Sequence, residues 1–463
     1  MRAGRNLDAL FHDLAGRRVL VYSLGIEGQD LARWFLDRGA EVTMSDTRTP
    51  EQLAAAGALP PVGVRRVVVG QPLLDPAGFD LVATSQGVLR TNPALQRACE
   101  LGIPVVSQLQ LILRLARGRV IGITGSSGKS TTTALVGAMA RADGRDVLVG
   151  GNLGEPLLAR LGDHPSAELV LEISHTQLQY TDRSPQVAAL TNVTPNHLDQ
   201  FSWEEYVELK RHLFAYQGAE DVAILNADDP VSVTFAPALR AQVRWVSTRS
   251  VPERPAAFAT EEAIVVLAGG ERVPIVRRSE LRLRGEHNVA NATLAAAVAG
   301  AVGYRLEAIR ETLRTFKGLP HRLEPVGIVA GVTFVDDSIA TTPERTLAAL
   351  RAFHEPVVLL LGGREKRLPL DELQRAVAAR ARAAVCFGES AELFAAALEG
   401  RTEVRRCRSL EDAVLIAAEL ARPGDVVLLS PAATSFDAFP NFAARGEAFK
   451  RAVRALPGFE EVA

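Results

Sequence analysis

Apolar positions along this chain fall in short runs separated by stretches of helical periodicity, the rhythm of alternating strands and helices. Residues 18–23 read as a buried strand, 25–38 as a glycine-led amphipathic helix and 41–45 as a second strand. Further strands are predicted at 65–69, 80–84 and 103–106, together making a small parallel sheet covered by helices.

A second segment opens at 119–124 with a strand entering a glycine-rich turn, followed by a helix over 129–141. Strands at 169–173 and 187–191, a helix over 203–216 and a strand at 221–225 continue it. Residues 263–267 and 272–276 flank Gly269-Gly270 as a hairpin before an alanine-rich helix at 288–300, so strand directions are expected to mix here. Gly318-Leu319-Pro320 breaks the next helix and reads as a linker. Beyond it, strands at 332–335, 357–361, 384–387 and 426–429 alternate with helices at 343–353, 370–382, 391–397, 410–421 and 441–456. Three α/β domains fit this pattern better than one large sheet.

Composition narrows the class. The 463 residues are 47% hydrophobic and 23% charged with a formal charge of -2, a globular balance with no basic stripe for nucleic acid. No apolar run is long enough to span a bilayer, and the polar start with His12 and Asp13 is no signal core, so a cytoplasmic location is expected. Three widely spaced cysteines suggest neither a disulfide framework nor a thiolate metal site. Only Lys129, Lys210, Lys317, Lys366 and Lys450 among 52 basic residues are lysines, so a lysine inside a motif carries unusual information.

The run Gly122-Ile123-Thr124-Gly125-Ser126-Ser127-Gly128-Lys129-Ser130-Thr131 lies between a predicted strand and a predicted helix. Glycine turns let backbone N–H groups face phosphates, and the helix N-terminus adds a field that favours negative charge. Lys129 is expected to reach the β- and γ-phosphates and Ser130 to help hold Mg²⁺. The pattern departs from the general one at Ile123, where the first glycine belongs. A second glycine loop, Ser23 to Gly28, follows the first strand, with Asp46 at the end of the next. Its third glycine is replaced by Leu31; NAD, another nucleotide-linked ligand and simple strand-helix packing all remain open.

Three residues downstream give the loop a chemical context. Glu172 closes an apolar strand, where a carboxylate supplies a hard oxygen ligand for Mg²⁺ beside phosphates. His197 sits in a polar segment past the following strand, where it could bind a metal, hold an acidic group or serve as a loop residue. Lys210 lies one helical turn after Tyr206 on the same face. The order of phosphate loop, Glu172, His197 and Lys210 resembles the Mur ligase family, whose relatives include folylpolyglutamate synthases. Asn226-Ala227-Asp228-Asp229, Gly285 to Ala292, Leu319-Pro320-His321-Arg322 and Asp337-Ser338 follow in the family's order.

The resemblance implies an α/β fold with a three-domain Mur ligase architecture. A Rossmann-like N-terminal domain over 1–109 would bind the UDP-substrate, a P-loop ATPase-like central domain over 110–318 would bind ATP, and a Rossmann-like C-terminal domain over 319–463 would bind the amino acid. It further implies ATP-dependent addition of D-glutamate to UDP-N-acetylmuramoyl-L-alanine through an acyl phosphate, with L-glutamate as the alternative amino acid and a monomer as the expected assembly. Catalytic roles fall on Lys129, Glu172, His197 and Lys210. Ser130, Glu172, His197 and Lys210 would serve two Mg²⁺ ions, the lysine after N-carboxylation. Gly125, Ser126, Ser127, Gly128, Lys129, Ser130, Thr131, Asn288, Asn291, Arg322 and Asp337 would form the ATP site. Gly25, Asp46, Thr47, Arg48, Ser85, Gly87 and Asn152 would contact the UDP-substrate, and Thr341, Lys366, Ser435, Phe436 and Phe442 the glutamate.

Departures from the family pattern are Ile339 at a usual lysine, His175-Thr176 at a common Ser-Phe pair and Gln86 at a proline. A folylpolyglutamate synthase would not need a separate UDP-type first domain. An ATP-driven switch or nucleic-acid motor lacks support in the charge pattern.

Overall fold

The computed structural model describes residues 11–461 apart from 12, 56, 153–156, 199, 284, 366 and 367. The described residues build three sheets. The first contains β1 (Arg18–Tyr22), β2 (Glu41–Asp46), β3 (Arg66–Val69), β4 (Leu81–Thr84) and β5 (Val105–Ser107), all parallel, in the order β3-β2-β1-β4-β5. The order reverses direction between β1 and β4, the switch at which doubly wound sheets bind ligands.

The second sheet contains β6 (Val120–Thr124), β7 (Val147–Gly151), β8 (Glu168–Glu172), β9 (Val187–Leu190), β10 (Val222–Asn226), β11 (Gln242–Ser247), β12 (Pro255–Ala259), β13 (Ala263–Ala268) and β14 (Glu271–Arg277). Their order is β14-β13-β12-β11-β10-β9-β6-β8-β7, antiparallel only along β12, β13 and β14. The expected hairpin is therefore present, and strand directions do mix. Strand β6 lies between β8 and β9, with Ile123 in register with both Glu172 and Ala189, so the phosphate loop leaves the sheet at its switch point.

Strands 147–151, 242–247 and 255–259 were not anticipated from the apolar pattern. The helix expected to reach 216 is α-helical only over Trp203–Arg211 and tightens to a 3₁₀ turn at His212–Phe214. Its start is well specified: Ser202 and Glu205 form a reciprocal capping box that satisfies end N–H groups.

The third sheet joins β15 (Glu324–Val329), β16 (Val332–Asp336), β17 (Val357–Gly362), β18 (Ala381–Phe387), β19 (Glu403–Arg406), β20 (Val426–Leu429) and β21 (Phe459–Glu461), ordered β19-β18-β17-β20-β16-β15-β21. The helix expected over 370–382 ends at Arg380, because Ala381 turns extended and enters β18 directly.

By contacts the chain forms two compact units, 1–281 with 287–316, and 282–286 with 317–463. In the first, one continuous core joins both sheets: Val19, Val21 and Leu31 belong to the same buried cluster as Leu148, Leu158 and Ala188. The helix Gln108–Leu115 runs across the position expected for the first domain boundary, and its buried Leu109, Leu111 and Ile112 join that core. In the second unit two separate apolar clusters, one including Phe334 and Phe449 and the other Leu359 and Phe394, cover opposite faces of the sheet.

Candidate active site

The phosphate loop is shaped by positions that exclude a side chain. Gly128 caps the helix Lys129–Ala142 in the left-handed region at φ 84°, and a Cβ there would stand 2.2 Å from Asn291 Oδ1. At Gly125, φ 147°, a Cβ would meet Thr191 Oγ1 at 1.8 Å. The loop is braced from β9: Ser126 N donates to Asn192 O (2.8 Å), Ser127 N to Asn192 Oδ1 (3.0 Å) and Thr191 Oγ1 to Ser127 O (2.6 Å). Lys129 folds back over the loop, its Nζ donating to Gly125 O (2.8 Å) and Ser126 O (3.0 Å). Asn288 and Asn291 are buried on the helix Glu286–Val302, where Asn291 Nδ2 donates to Asn288 Oδ1 (3.1 Å). The first unit thus brings together the expected nucleotide residues Gly125, Ser126, Ser127, Gly128, Lys129, Ser130, Thr131, Asn288 and Asn291.

Glu172 and Lys210 converge on the same end of the sheet. Glu172 is buried; Oε1 accepts from Asn152 Nδ2 at 2.9 Å, while Oε2 is buried without a partner. An orphaned carboxylate oxygen beside a phosphate loop fits a divalent cation, which satisfies it by coordination. Lys210 is fully buried, its Nζ donating to Thr124 Oγ1 (3.2 Å) and Gly125 O (3.0 Å) and lying 5.2 Å from the Tyr206 ring centre. Tyr206, on the same helical face, meets Ser126 Oγ at 3.0 Å, so one helix delivers the amine and also anchors the loop. Burial, reinforced by the charge of Lys129 and opposed by Glu172, drives the Lys210 pKa well below the usual lysine range.

His197 is exposed with φ 56° and lies over the buried His175, their ring centres 4.2 Å apart. Burial, then the charges of Lys210, His197 and Lys129, bring the His175 pKa down to about 3, so its imidazole is neutral. Its Nε2 is buried without a partner.

In the first sheet, Asp46 at the end of β2 is pinned: Leu24 N (2.7 Å) and Arg48 Nη2 (2.6 Å) donate to Oδ2, and Arg48 N and Nε (3.0 Å each) to Oδ1. Burial alone would raise its pKa, but hydrogen bonds from Arg48 and Leu24 outweigh it and lower the carboxyl below its ordinary value. Gly25 stands at the N-cap of the helix Ile26–Leu36, Thr47 is exposed beyond β2, and Ser85 and Gly87 follow β4. The expected residues of this pocket therefore gather at one edge of the sheet.

In the second unit, Asp337 follows β16 and accepts from Ser430 Oγ (2.8 Å) and Leu323 N (3.2 Å). Burial pushes its pKa up to about 7, against the hydrogen bond from Ser430 and the charge of Arg322. Thr341 lies four residues on, and Ser435 is buried in the segment after β20. Phe442 opens the helix Phe442–Arg454 and meets His321 edge-on at 6.2 Å, whereas Phe436 is 62% exposed and takes no part in the core. Lys366 lies outside the described residues. Arg345 Nη1 donates to Ile339 O (3.1 Å), so a cation stands beside the position where the family pattern has lysine.

The sequence reading missed Arg445. Fully buried, it donates to Ser338 Oγ (3.0 Å), Ser338 O (2.9 Å), Gly362 O (3.2 Å) and Ala433 O (3.1 Å), tying together three strand ends. Nothing in its local pattern separates it from neighbouring arginines. His321, Glu324 and Asp336 also lie close enough to share a metal, but Lys450 Nζ already holds Glu324 at 2.7 Å, and the cluster reads as a buried brace.

A glycine loop at a sheet switch point, a lysine over it and a carboxylate with a free oxygen beside it define a phosphate-loop nucleotide site fitted for a divalent cation. Residues 123–299 match the Mur ligase middle domain, and residues 321–433 the glutamate ligase domain of Mur ligases. The chain belongs to the Mur ligase family and is an amide-bond-forming ligase. It is 41% identical to a UDP-N-acetylmuramoylalanine--D-glutamate ligase of Symbiobacterium thermophilum, covering 95% of this chain and 98% of that one. An enzyme of the same name from Geobacillus kaustophilus is 39% identical, with 95% and 98% covered. Among solved structures, a UDP-N-acetylmuramate-alanine ligase from Thermotoga maritima matches with a TM-score of 0.59 at 17% identity, covering 95% of this chain and 99% of that one. A pseudomurein peptide ligase type C from Methanothermus fervidus gives 0.56 at 18%, covering 94% and 100%. These two likenesses concern the fold.

Proposed function

We propose that this enzyme joins D-glutamate to UDP-N-acetylmuramoyl-L-alanine at the expense of ATP, a step in peptidoglycan precursor synthesis. The similarity to D-glutamate ligases along almost the whole chain carries this reading. In functional terms, 1–109 serves the UDP-substrate, 110–318 ATP and the chemistry, and 319–463 the amino acid. The enzyme works in the cytoplasm as a monomer.

The alanyl carboxylate oxygen attacks the γ-phosphorus, the bond to the bridging oxygen breaks and ADP departs. The glutamate amine then attacks the acyl-phosphate carbon, losing a proton, and phosphate leaves an amide behind. Activation is required because a carboxylate is a poor electrophile. Lys129 moves from its loop carbonyls to the transferring phosphoryl group, whose charge it stabilises. Ser130, Glu172, His197 and modified Lys210 would hold Mg²⁺, which would supply charge neutralisation for the phosphates.

The buried amine of Lys210, driven towards its neutral form, is suited to adding CO₂: the nitrogen bonds to carbon, a proton is released, and a carbamate anion replaces the neutral amine. Arg322 and Asp337 are assigned to ATP binding. The first domain holds its substrate with Gly25, Asp46, Thr47, Arg48, Ser85 and Gly87, and Asn152 holds the muramoyl-alanine part. Thr341, Lys366, Ser435, Phe436 and Phe442 surround glutamate.

The deciding experiment supplies purified enzyme with ATP, Mg²⁺ and UDP-N-acetylmuramoyl-L-alanine, and separately D- or L-glutamate. Product with D-glutamate is expected; a strong preference for L-glutamate overturns the substrate assignment and leaves the ligase chemistry intact.

A further inference from the structure

The side-chain amides around Glu172 have a fixed direction, and that direction starts in the first sheet. A carboxylate only accepts hydrogen bonds, so Asn152 must present Nδ2 to Glu172 Oε1, at 2.9 Å, which turns Asn152 Oδ1 away. Asn152 Oδ1 then needs a donor, and Gln86 Nε2 supplies it at 3.0 Å. Gln86 Oε1 in turn accepts from Ser174 Oγ (2.7 Å) and Thr176 Oγ1 (3.3 Å). The Gln86 backbone is also held, its N donating to Glu27 Oε2 (2.8 Å), while Glu27 Oε1 accepts from Gln177 Nε2 (3.1 Å). Each amide thus has one orientation that pairs every atom.

We propose that Gln86 is a positioning residue for the metal site: by donating to Asn152 it fixes that amide, which occupies Glu172 Oε1 and leaves Oε2 as the oxygen for the cation. The proposal rests on the reading of Glu172 as a metal ligand. It gives the first sheet an indirect hold on the metal, because Gln86 sits between Ser85 and Gly87 at the end of β4 while Asn152 follows β7 and Glu172 ends β8 of the second sheet. Direct hydrogen-bond partners of metal ligands, such as Asn152, are worth roughly 10-fold to 100-fold in metal affinity, and Gln86, one bond further out, is expected at the lower end of about 10-fold.

Two substitutions make different demands. Gln86→Leu removes the donor and leaves Asn152 Oδ1 to water. Gln86→Glu offers only acceptors, so Asn152 must turn Nδ2 toward residue 86 and face Glu172 Oε1 with its own oxygen, two acceptors in contact. The order of damage expected at the metal is therefore Gln86→Glu beyond Gln86→Leu.

The test titrates Mn²⁺ by electron paramagnetic resonance into the full-length protein with a non-hydrolysable ATP analogue, using wild type, both Gln86 variants and Glu172→Ala, each checked for a wild-type melting transition. Mn²⁺ affinity should fall about 10-fold in Gln86→Leu, further in Gln86→Glu and most in Glu172→Ala. Excess Mg²⁺ should restore kcat in Gln86→Leu, with KM for the UDP-substrate moving less than the metal requirement. Wild-type Mn²⁺ affinity in both Gln86 variants, with loss in Glu172→Ala, overturns the positioning role and leaves the metal ligand standing. Unchanged affinity in Glu172→Ala as well removes both.

Discussion

Replacing Lys210 with methionine should separate stability from catalysis. The Lys210 amine is fully buried beside Lys129, and its two acceptors do not depend on it: Gly125 O also receives Lys129 Nζ at 2.8 Å, and Thr124 Oγ1 itself donates to Ile173 O at 2.7 Å. Lys210→Met therefore leaves no orphaned acceptor. It deletes two hydrogen bonds and a contact with the Tyr206 ring, but also the cost of burying an ionisable amine near the charge of Lys129. Exchanges of buried ion pairs for apolar groups of similar volume range from neutral to roughly 1–4 kcal/mol stabilising, and Lys210 is one group rather than a pair, so the folded state should hold its stability or gain at most half of that, about 2 kcal/mol. For a unit this large that is a rise of roughly 2 °C per kcal/mol. Turnover should fall on the order of 10²- to 10³-fold, comparable to the loss of one group that stabilises charge in a transition state. Differential scanning calorimetry and phosphate release with all substrates give the two readouts. Added bicarbonate with Mg²⁺ should raise the melting temperature of wild type alone. A variant that melts several degrees early while turning over normally would refute the account of this lysine on both counts.

Lys129→Ala should abolish product while leaving the melting temperature within about a degree, since Lys129 makes its bonds to loop carbonyls on a half-exposed surface; normal turnover would remove its phosphate role. Gly128→Ala forces a Cβ to 2.2 Å from Asn291 Oδ1 at a left-handed φ, and calorimetric titration should show ATP affinity reduced more than about 10-fold. Asp337 has its pKa raised by burial from 3.8 to about 7. Its contribution to stability is full below about pH 4 and is lost as pH rises through 7. Asp337→Asn should therefore match wild type near pH 4 and exceed it at pH 8.5, by an amount on the order of 4 kcal/mol at most. Urea unfolding at the two pH values measures the difference, and parallel pH profiles would contradict the burial argument.

Much of the architecture was legible because its signals are local. The phosphate loop needs glycines at particular dihedrals next to a strand and a helix, and all of that lies within residues 120–142. The hairpin around Gly269-Gly270 is equally short-range. Strand β19 was not legible: Glu403–Arg406 is mostly exposed and charged, and is a strand only because its backbone pairs with β18. Residues 381 and 382 carry no signal of their own change from helix to strand, which the pairing of Ala381 with Val357 decides.

At the site, the residue order and its resemblance to the Mur ligase family pointed to Lys129, Glu172, His197 and Lys210, and the amphipathic period put Lys210 and Tyr206 on one face. Only the tertiary structure decided that this face is buried against the phosphate loop, that Glu172 keeps one oxygen unpaired, and that Gln86, Asn152 and Arg445 hold the elements in place. The division has a physical cause. Backbone conformation and periodicity are set by neighbours a few residues away, whereas burial, orphaned atoms and hydrogen-bond direction depend on groups 20 to 107 residues apart in the chain.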